Sequence, residues 1–388
     1  MLAASTSLFV AGIIILTWLH TQYQLDILVE PASPPQNAPL ISVCVPARNE
    51  ERNIGCCVEA LLAQTYPNFE IIVLDDRSTD ATPQILQNLA KDSTLGKVPL
   101  NIIYGTDLSL GWAGKPHALT QASAVARGDW FCFVDADTIL APDALASVYA
   151  KALETKADLF TMMTRQIMLT FWERTILPLV MTALSVGFSP RKVNDPDRKD
   201  AIANGQFIFI KRTVYDAIGG HAAVYDAIVE DKDLAYLVKG AGYHLVIADG
   251  QKMASTRMYT SLPEMWEGWT KNMYLGLREE RSLMVLGVFG AFLAFAAAAL
   301  LPLWLAAGVY LTMASSNGES TVILAESLLL WGYLLFWRVQ ASRGMGIPVW
   351  YALTTPLGAA VFGAMMVTSA FKVISGKGVV WKGRRYTR

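Results

Sequence analysis

The chain has 388 residues, of which 53% are hydrophobic and only 17% are charged, and its formal net charge at pH 7 is -1. This balance is too apolar for an ordinary soluble enzyme and predicts an integral membrane protein. A net charge close to zero offers no clustered positive surface for a phosphate backbone, so we expect no nucleic-acid partner.

The first predicted element, residues 1–22, is a transmembrane anchor, because residues 1–20 contain no Asp, Glu, Lys or Arg. They lack the basic leader and cleavage site of a secretory signal, so we expect the anchor to stay attached. Residues 23–39 follow as a linker. They include "PASPPQNAP", a proline-rich stretch that holds the backbone extended and cannot continue a helix.

Residues 40–270 have the pattern of a globular domain. Apolar runs at 41–46, 70–74, 101–104 and 130–134 follow one another at a spacing of about 30 residues, typical of a strand, a crossover helix and the next strand. Such runs predict an α/β, Rossmann-like domain with a mostly parallel sheet covered on both faces. In these sheets the ligand site lies at the carboxyl ends of the strands.

Acidic side chains follow two of these runs, in "DDRSTD" and "DADT", and the first run ends in "PARNEERN". The sheet would therefore gather Asp75, Asp76, Asp135 and Asp137 at one edge. Like charges held together are costly unless a cation compensates them, and hard oxygen ligands select Mg²⁺ or Mn²⁺. We predict a divalent metal ion at Asp135 and Asp137. The alternative is that this Asp–x–Asp only makes a turn.

An apolar patch at residues 167–190 interrupts the soluble pattern and contains Trp172, Glu173 and Arg174. It is too charged and too broken by proline for a clear membrane span. We expect an interfacial helix that lies on the bilayer near the site, and the alternative is a buried core helix.

Residues 271–282 are expected to form an amphipathic junction, followed at residues 283–371 by nearly uncharged membrane helices. Thr355, Pro356 and Gly358 interrupt the last apolar segment, residues 347–371. We therefore expect that segment to enter the membrane and return on the same side.

A basic tail, residues 372–388, ends the chain, with six Lys or Arg and no acid. If the last apolar segment turns back, this tail lies in the cytoplasm, where positively charged flanks are favoured.

Six motifs in chain order resemble the membrane-bound glycosyltransferases of family 2, whose nucleotide-sugar fold is called GT-A. They are "VPARNEE", "VLDDRSTD", "GWAGKPHAL", "FVDADT", "NGQFIFIKR" and "VEDKDLAYLVKGAGY". Within that family the chain is similar to enzymes that glycosylate lipids: ceramide glucosyltransferases and the hopene-associated and carotenoid glycosyltransferases. The resemblance implies an inverting enzyme that moves a sugar, with glucose expected, from a nucleotide-diphosphate donor, with UDP expected, to a membrane-lipid hydroxyl.

The resemblance also implies how the nucleotide is held. Pro46, Arg48 and Glu50 match the family's first loop, which borders the nucleotide. Asp76, with Asp75 beside it, matches the carboxylate that reaches the uracil.

For the diphosphate, Lys115 of "GWAGK" fits a phosphate or nucleotide contact, although a single loop lysine could also be a solvated surface residue. Asp135 and Asp137 would hold the metal ion that bridges the diphosphate and acts as a Lewis acid.

The expected base is Asp231 of "VED", with Glu230 as its neighbour. A hydroxyl that attacks the anomeric carbon in one displacement needs a single carboxylate within hydrogen-bond reach, and this geometry inverts the centre. The alternative is that these acids only begin a helix, where the macrodipole favours them. Residues Asn204, Gly205 and Gln206 are expected to line the acceptor's entry.

One departure concerns the Gln/Arg–x–x–Arg–Trp motif that many family members carry after the base. This chain has "TRMYTSLPEMWEGWTKNMY" instead. We expect Trp269, Lys271 and Asn272 to occupy that site, with Arg257 nearby. Either Arg257 or Lys271 could be the second cation for the diphosphate. The tryptophans could instead anchor a helix at the membrane interface.

Two other functions stay open at this point. A processive polysaccharide synthase would need more membrane helices and the missing Arg–Trp ending. A non-catalytic scaffold would be favoured by loss of Asp135 or Asp231, and both are present. We therefore expect a multi-pass membrane enzyme with a cytoplasmic catalytic domain, because nucleotide sugars are made in the cytoplasm.

Overall fold

The computed structural model describes residues 2–22, 25–93, 98–187, 189–276, 283–315, 318–375, 379–381 and 384–386. They form two compact units. The larger unit consists of Leu25–Ile167 and Pro190–Met258, and the smaller unit consists of Met1–Gln24, Met168–Ser189 and Tyr259–Arg388.

Most strands belong to the larger unit. In chain order the strands are β1 (Ile41–Ala47), β2 (Phe69–Asp75), β3 (Leu100–Tyr104), β4 (Trp130–Val134), β5 (Thr138–Leu140), β6 (Leu159–Met163), β7 (Arg165–Gln166), β8 (Phe207–Lys211), β9 (Leu245–Asp249), β10 (Ala254–Thr256), β11 (Val379–Trp381) and β12 (Arg384–Tyr386). The last two pair as a hairpin in the smaller unit.

Helices occur in both units. They are α1 (Leu2–Gln22), α2 (Ile54–Leu62), α3 (Thr82–Ser93), α4 (Gly114–Val125), α5 (Ala144–Glu154), α6 (Phe171–Gly187), α7 (Pro190–Asn194), α8 (Arg212–Ala217), α9 (Glu230–Gly240), α10 (Leu262–Gly276), α11 (Leu283–Ala314), α12 (Gly318–Gly344) and α13 (Thr355–Ile374). Two 3-10 helices lie at Gly220–Val224 and Val349–Thr354.

The main sheet of the larger unit has the order β3-β2-β1-β4-β8-β6-β9. Strand β1 runs parallel to β2 and β4, and β6 runs parallel to β9, whereas β8 is antiparallel to both of its neighbours. The predicted mostly parallel sheet is confirmed, and the four predicted strands are β1 to β4. Strand β8 is the reversed member, which the sequence pattern did not reveal.

Both faces of this sheet are covered, as its continuous apolar strands require. Val43 and Val45 of β1 pack in one hydrophobic core with residues of α2 and α5, whereas Cys44 between them packs in the other core with residues of α4 and α9. This division follows from the alternation of side chains along a strand. A second, three-stranded sheet has the order β5-β10-β7 and was not predicted.

Within its described residues, the smaller unit contains three helices that are long and apolar enough to cross a membrane: Ala291–Ala314, Gly318–Gly344 and Val349–Lys372. Helix α11 packs against α12 and α13, and α12 packs against α1. The apolar part of α1, Leu2–Trp18, is shorter than these three, so its role as a transmembrane anchor stays a prediction.

The predicted turn-back at residues 347–371 is wrong in its geometry. The segment is a 3-10 helix followed by the uninterrupted α13. Pro356 stands in the first turn of α13. N–H groups in the first turn of a helix have no intrahelical acceptor, so the N–H group that proline lacks costs no helical hydrogen bond. The side of the membrane on which the tail lies therefore stays open.

Helix α6, predicted as an interfacial helix inside the catalytic domain, belongs to the smaller unit and packs against α13. Gly358 permits this packing, since a Cβ at that position would lie 2.7 Å from the carbonyl oxygen of Thr175. Residues 277–282 of the predicted junction, and residues 376–378, 382, 383, 387 and 388 of the basic tail, lie outside the described residues.

Candidate active site

Lys115, in the first turn of α4, lies between acids from two distant parts of the chain. Its Nζ atom is 2.7 Å from Asp135 Oδ1 and 2.8 Å from Glu230 Oε1. Burial alone lowers the pKa of Lys115, but Asp135, Glu230 and Asp231 outweigh it, so the pKa is raised well above its usual range. Lys115 is therefore a fixed ammonium group in the site, not a solvated surface lysine.

Asp231 stands in the first turn of α9, beside the buried Glu230. Its Oδ2 atom accepts a hydrogen bond of 2.8 Å from the Gly205 N–H, and its Oδ1 atom accepts one of 2.8 Å from the Lys232 N–H. Burial, and then the charge of Glu230, raise the pKa of the Asp231 carboxyl to about 7, although Lys115 and the two N–H groups act in the opposite direction. A carboxylate with this pKa is suited to general-base catalysis near neutral pH.

Gly205 precedes β8 and approaches the base closely. A Cβ at this position would lie 2.7 Å from Asp231 Oδ2 and 3.1 Å from Lys115 Nζ. The site therefore needs a residue without a side chain here, so that the backbone N–H can reach the carboxylate.

Asp135 and Asp137 lie in the turn between β4 and β5, where the Thr138 N–H donates a 3.0 Å hydrogen bond to the Asp135 carbonyl. Both side chains are half-buried. Among the described residues, no group of three or more His, Cys, Asp or Glu side chains could hold a metal ion. Two carboxylates nevertheless fit Mg²⁺ or Mn²⁺, because such an ion takes its other oxygen ligands from water and a substrate diphosphate.

The predicted second cation, Arg257, directly follows β10. Thr256 of β10 pairs with Thr138 of β5 in an antiparallel register. Thr256 Oγ1 also donates a 3.1 Å hydrogen bond to the Asp137 carbonyl, so the residue before Arg257 contacts the backbone of a predicted metal ligand.

The loops after β1 and β2 interlock where the nucleotide was predicted to bind. Arg48 Nη1 donates a 2.6 Å hydrogen bond to the Asp76 carbonyl oxygen, and the Glu50 N–H donates one of 2.8 Å to Thr82 Oγ1. Pro46 of β1 is paired with Leu74 of β2, so these loops start side by side. The buried Asp75 accepts a 3.0 Å hydrogen bond from the Ser78 N–H.

Two of the three residues predicted to line the acceptor's entry, Asn204 and Gln206, take part in a polar network around Gly205. Asn204 Nδ2 donates to the Met162 carbonyl at 2.9 Å. Buried Gln206 accepts a hydrogen bond from Thr164 Oγ1 through its side chain, and its carbonyl accepts one of 3.4 Å from the Asp135 N–H. These contacts hold Gly205 in place, and a direct role in acceptor binding stays a prediction for all three.

Trp269 and Lys271 lie on α10 of the smaller unit. The Trp269 side chain is buried, and its ring meets Tyr259 edge-on at a centroid distance of 6.0 Å. Their contribution to donor binding stays a prediction.

His221 was not predicted to belong to the site. It is fully buried, lies edge-on against Phe133 of β4, and its Nδ1 atom is 2.9 Å from the Tyr215 hydroxyl. Burial, followed by the charge of Lys115, lowers the pKa of His221 to about 3, so the ring is neutral behind the ammonium group. No sequence signal beyond the presence of a rare histidine could have identified it.

Comparison with known proteins gives a match to a family model over part of the chain. Residues 42–219 match the model for "Glycosyl transferase family 2", which includes the predicted nucleotide, lysine and metal positions but ends before Glu230 and Asp231. A curated relative, the 4,4'-diaponeurosporenoate glycosyltransferase of Staphylococcus aureus, is 27% identical over 263 residues, which are 66% of this chain and 67% of the relative.

A solved structure with a similar fold is a mannosyltransferase from Pyrobaculum calidifontis in complex with GDP-Man and Mn²⁺. The two structures align with a TM-score of 0.54 at 18% identity, over 96% of this chain and 97% of that chain. At this identity the likeness establishes the fold, which is the GT-A fold expected from the sequence.

Proposed function

From the premise that this chain is a glycosyltransferase with a family 2 domain at residues 42–219, we propose that it moves one sugar, glucose, from a UDP-sugar to a hydroxyl of a membrane lipid. The lipid is an isoprenoid, a sphingolipid or a glycerolipid. The proposed reaction is a single displacement that inverts the anomeric centre.

The observation that carries the chemistry is the position of Asp231. Its carboxylate is oriented by the Gly205 N–H and has a pKa of about 7. The acceptor hydroxyl would pass its proton to Asp231 as the oxygen attacks the anomeric carbon. One base suffices, because the nucleoside diphosphate is already a good leaving group, unlike the sugar alcohol that a glycosidase must protonate.

Lys115 would stabilise the opposite end of the reaction. Its ammonium group is held by Asp135 and Glu230. An ammonium group has three N–H donors, so one could still donate a hydrogen bond to a departing diphosphate oxygen. Asp135 and Asp137 would hold Mg²⁺ or Mn²⁺, which supplies Lewis-acid stabilisation of the developing phosphate charge. The interlocked loops at Arg48 and Asp76 would bind the nucleotide.

A lipid acceptor is supported by two observations. The curated relative is named for glycosylation of 4,4'-diaponeurosporenoate, a carotenoid-type molecule. The part of the smaller unit that the structure describes has three helices long and apolar enough to cross a membrane, which would keep the enzyme where such an acceptor resides. We propose that the larger unit faces the cytoplasm, which contains the nucleotide sugars.

The experiment that tests this function uses membranes that contain the protein and a panel of labelled donors: UDP-glucose, UDP-galactose, UDP-N-acetylglucosamine and GDP-mannose. We expect label from UDP-glucose in the solvent-extractable lipid, and none in membranes without the protein. Label confined to insoluble polymer would instead identify a polysaccharide synthase.

A further inference from the structure

Lys239 lies near the end of α9, at the opposite end of this helix from Asp231, and the proposed reaction does not use it. Its Nζ atom donates hydrogen bonds of 2.7 Å to the Val193 carbonyl, 2.9 Å to the Asp195 carbonyl and 2.8 Å to the Asp200 carbonyl. An ammonium group has three N–H donors. All three can therefore be directed at backbone oxygens of one short stretch of chain.

This stretch, residues 193–200, runs from the end of α7 into a loop. The last carbonyls of a helix have no intrahelical partner. Lys192 stands in the last turn of α7, and its carbonyl oxygen is 3.5 Å from Lys239 Nζ. Lys239 contacts Asp200 at its carbonyl, whereas the Asp200 carboxylate pairs with Arg198 at 3.0 Å. The contact is therefore a link from a side chain to the backbone, which requires correctly placed N–H donors as well as a positive charge.

The bound stretch leads directly to Gly205. Ala201, which follows it, is buried in one hydrophobic core with Val238 of α9. Asn194 fixes the start of the stretch, since its Nδ2 atom donates a 2.9 Å hydrogen bond to the Ile247 carbonyl and its Oδ1 atom accepts one of 2.7 Å from the Ile247 N–H. The chain before Gly205 is therefore held at several points, of which Lys239 supplies the largest number of hydrogen bonds.

Helix α9 contacts this part of the chain at both of its ends. At its start, Asp231 Oδ2 accepts the 2.8 Å hydrogen bond from the Gly205 N–H, and eight residues later Lys239 binds the Asp200 carbonyl. Eight residues of an α-helix span about 12 Å. Because only four residues separate Asp200 from Gly205, a movement of the stretch at Lys239 would displace the Gly205 N–H relative to Asp231.

We propose that Lys239 is a positioning residue that keeps the Gly205 N–H group directed at Asp231. The inference rests on the proposed function, in which Asp231 is the base. Thr161 Oγ1 accepts a 2.9 Å hydrogen bond from the Asn204 N–H and supports the same place from β6. The loss of Lys239's contacts should therefore weaken the hydrogen bond between Gly205 and Asp231 and not abolish it.

The test uses the purified full-length protein with labelled UDP-glucose and a membrane lipid extract. Lys239→Met removes the N–H donors and keeps a long side chain. We expect it to bind the donor as the wild type does and to have a kcat about tenfold lower, because a misplaced catalytic group slows the chemical step. Lys239→Arg keeps the charge and part of the donor set, and should lose less. Lys199→Met, which changes an exposed lysine of the same stretch, is the matched control and should leave kcat unchanged.

The pH dependence of kcat separates positioning from a loss of structure. The charged groups that act on Asp231 are Glu230 and Lys115, and both stay in place in these variants. The Gly205 N–H favours the charged form of Asp231, so a weaker hydrogen bond should raise the pKa of this carboxyl. The acid limb of kcat should therefore move to higher pH in Lys239→Met. A variant that is only less stable would keep the limb where the wild type has it.

Hydrogen–deuterium exchange at single-residue resolution tests the contact without any transfer of sugar. The Gly205 amide should exchange faster in Lys239→Met than in the wild type or Lys199→Met. Thermal unfolding shows whether Lys239→Met is folded, and if it is not, Lys239→Arg takes its place with a smaller change in the same direction. Equal exchange of Gly205 in the wild type and the folded variant would overturn the proposal, as would a lower kcat with an unshifted acid limb. A wild type that transfers no sugar would refute the proposed function, whereas faster Gly205 exchange would still support the link from Lys239.

Discussion

The Gly205 N–H donates a hydrogen bond of 2.8 Å to Asp231 Oδ2. This contact joins the approach to β8 with the start of α9 and fixes the direction of the proposed base. Lys115 completes the connection, because its ammonium group contacts both Asp135 and Glu230. The proposed base, phosphate contact and metal position therefore form one continuous polar cluster.

The first prediction concerns Gly205→Ala. The new Cβ would lie 2.7 Å from Asp231 Oδ2, so the carboxylate must move, and a displacement of this kind can lower kcat by about 10²-fold. Gly240→Ala in α9 is the matched control, since a Cβ at Gly240 meets nothing within 4 Å. Steady-state kinetics should show the loss for Gly205→Ala alone, and an unchanged kcat in that variant would contradict the assigned geometry.

The second prediction concerns pH. The base must be deprotonated to act, and burial together with Glu230 raises the pKa of Asp231 to about 7. We expect kcat to be close to its plateau above pH 8 and to fall by about tenfold per unit once the pH is well below that pKa. The measurement is kcat at saturating donor across pH 5 to 9, as a flat profile through this range would exclude Asp231 as a base with this pKa.

The third prediction concerns a shift in the pH profile of kcat. Glu230→Gln removes the negative charge that adds to the effect of burial, so the pKa of Asp231 should fall and the acid limb of kcat should move to lower pH. Glu154→Gln, at an exposed carboxylate on α5, serves as the control and should leave the limb in place. A limb that stays near pH 7 in Glu230→Gln would show that another group is titrating.

The fourth prediction concerns the metal ion. Asp135→Asn and Asp137→Asn would each remove a charged oxygen from the proposed metal position, and should weaken Mn²⁺-dependent binding of UDP-glucose by at least about tenfold. Isothermal titration with and without EDTA measures this directly. If EDTA leaves donor binding and turnover of the wild type unchanged, the metal ion takes no part in either step.

Much of the fold was predictable from local patterns. The apolar runs β1 to β4 could be located because a parallel sheet buried on both faces leaves continuous hydrophobic stretches. The reversed β8 and the sheet of β5, β10 and β7 could not be, because short strands with mixed side chains have no distinctive period.

The candidate site was predictable in composition but not in connectivity. Sequence motifs selected Lys115, Asp135 and Asp231, yet a lysine that is expected in a loop gives no sign of its partners until the fold places it at the start of α4 and brings Glu230 to it. The role of Gly205 was likewise hidden, because close approach to Asp231 is a property of the backbone. The hydrogen bonds of Asn204 and Gln206 around Gly205 also became visible only in the structure, and their role at the acceptor's entry stays a prediction.

The most direct test of the central claim compares purified wild type with Asp231→Asn in one assay. Labelled UDP-glucose is supplied with a membrane lipid extract, and both donor binding and label in the solvent-extracted lipid are measured. The account predicts that Asp231→Asn binds the donor as the wild type does but labels lipid about 10² to 10⁴ times more slowly. Undiminished labelling by Asp231→Asn would contradict it, and so would a wild type that binds the donor but labels no lipid.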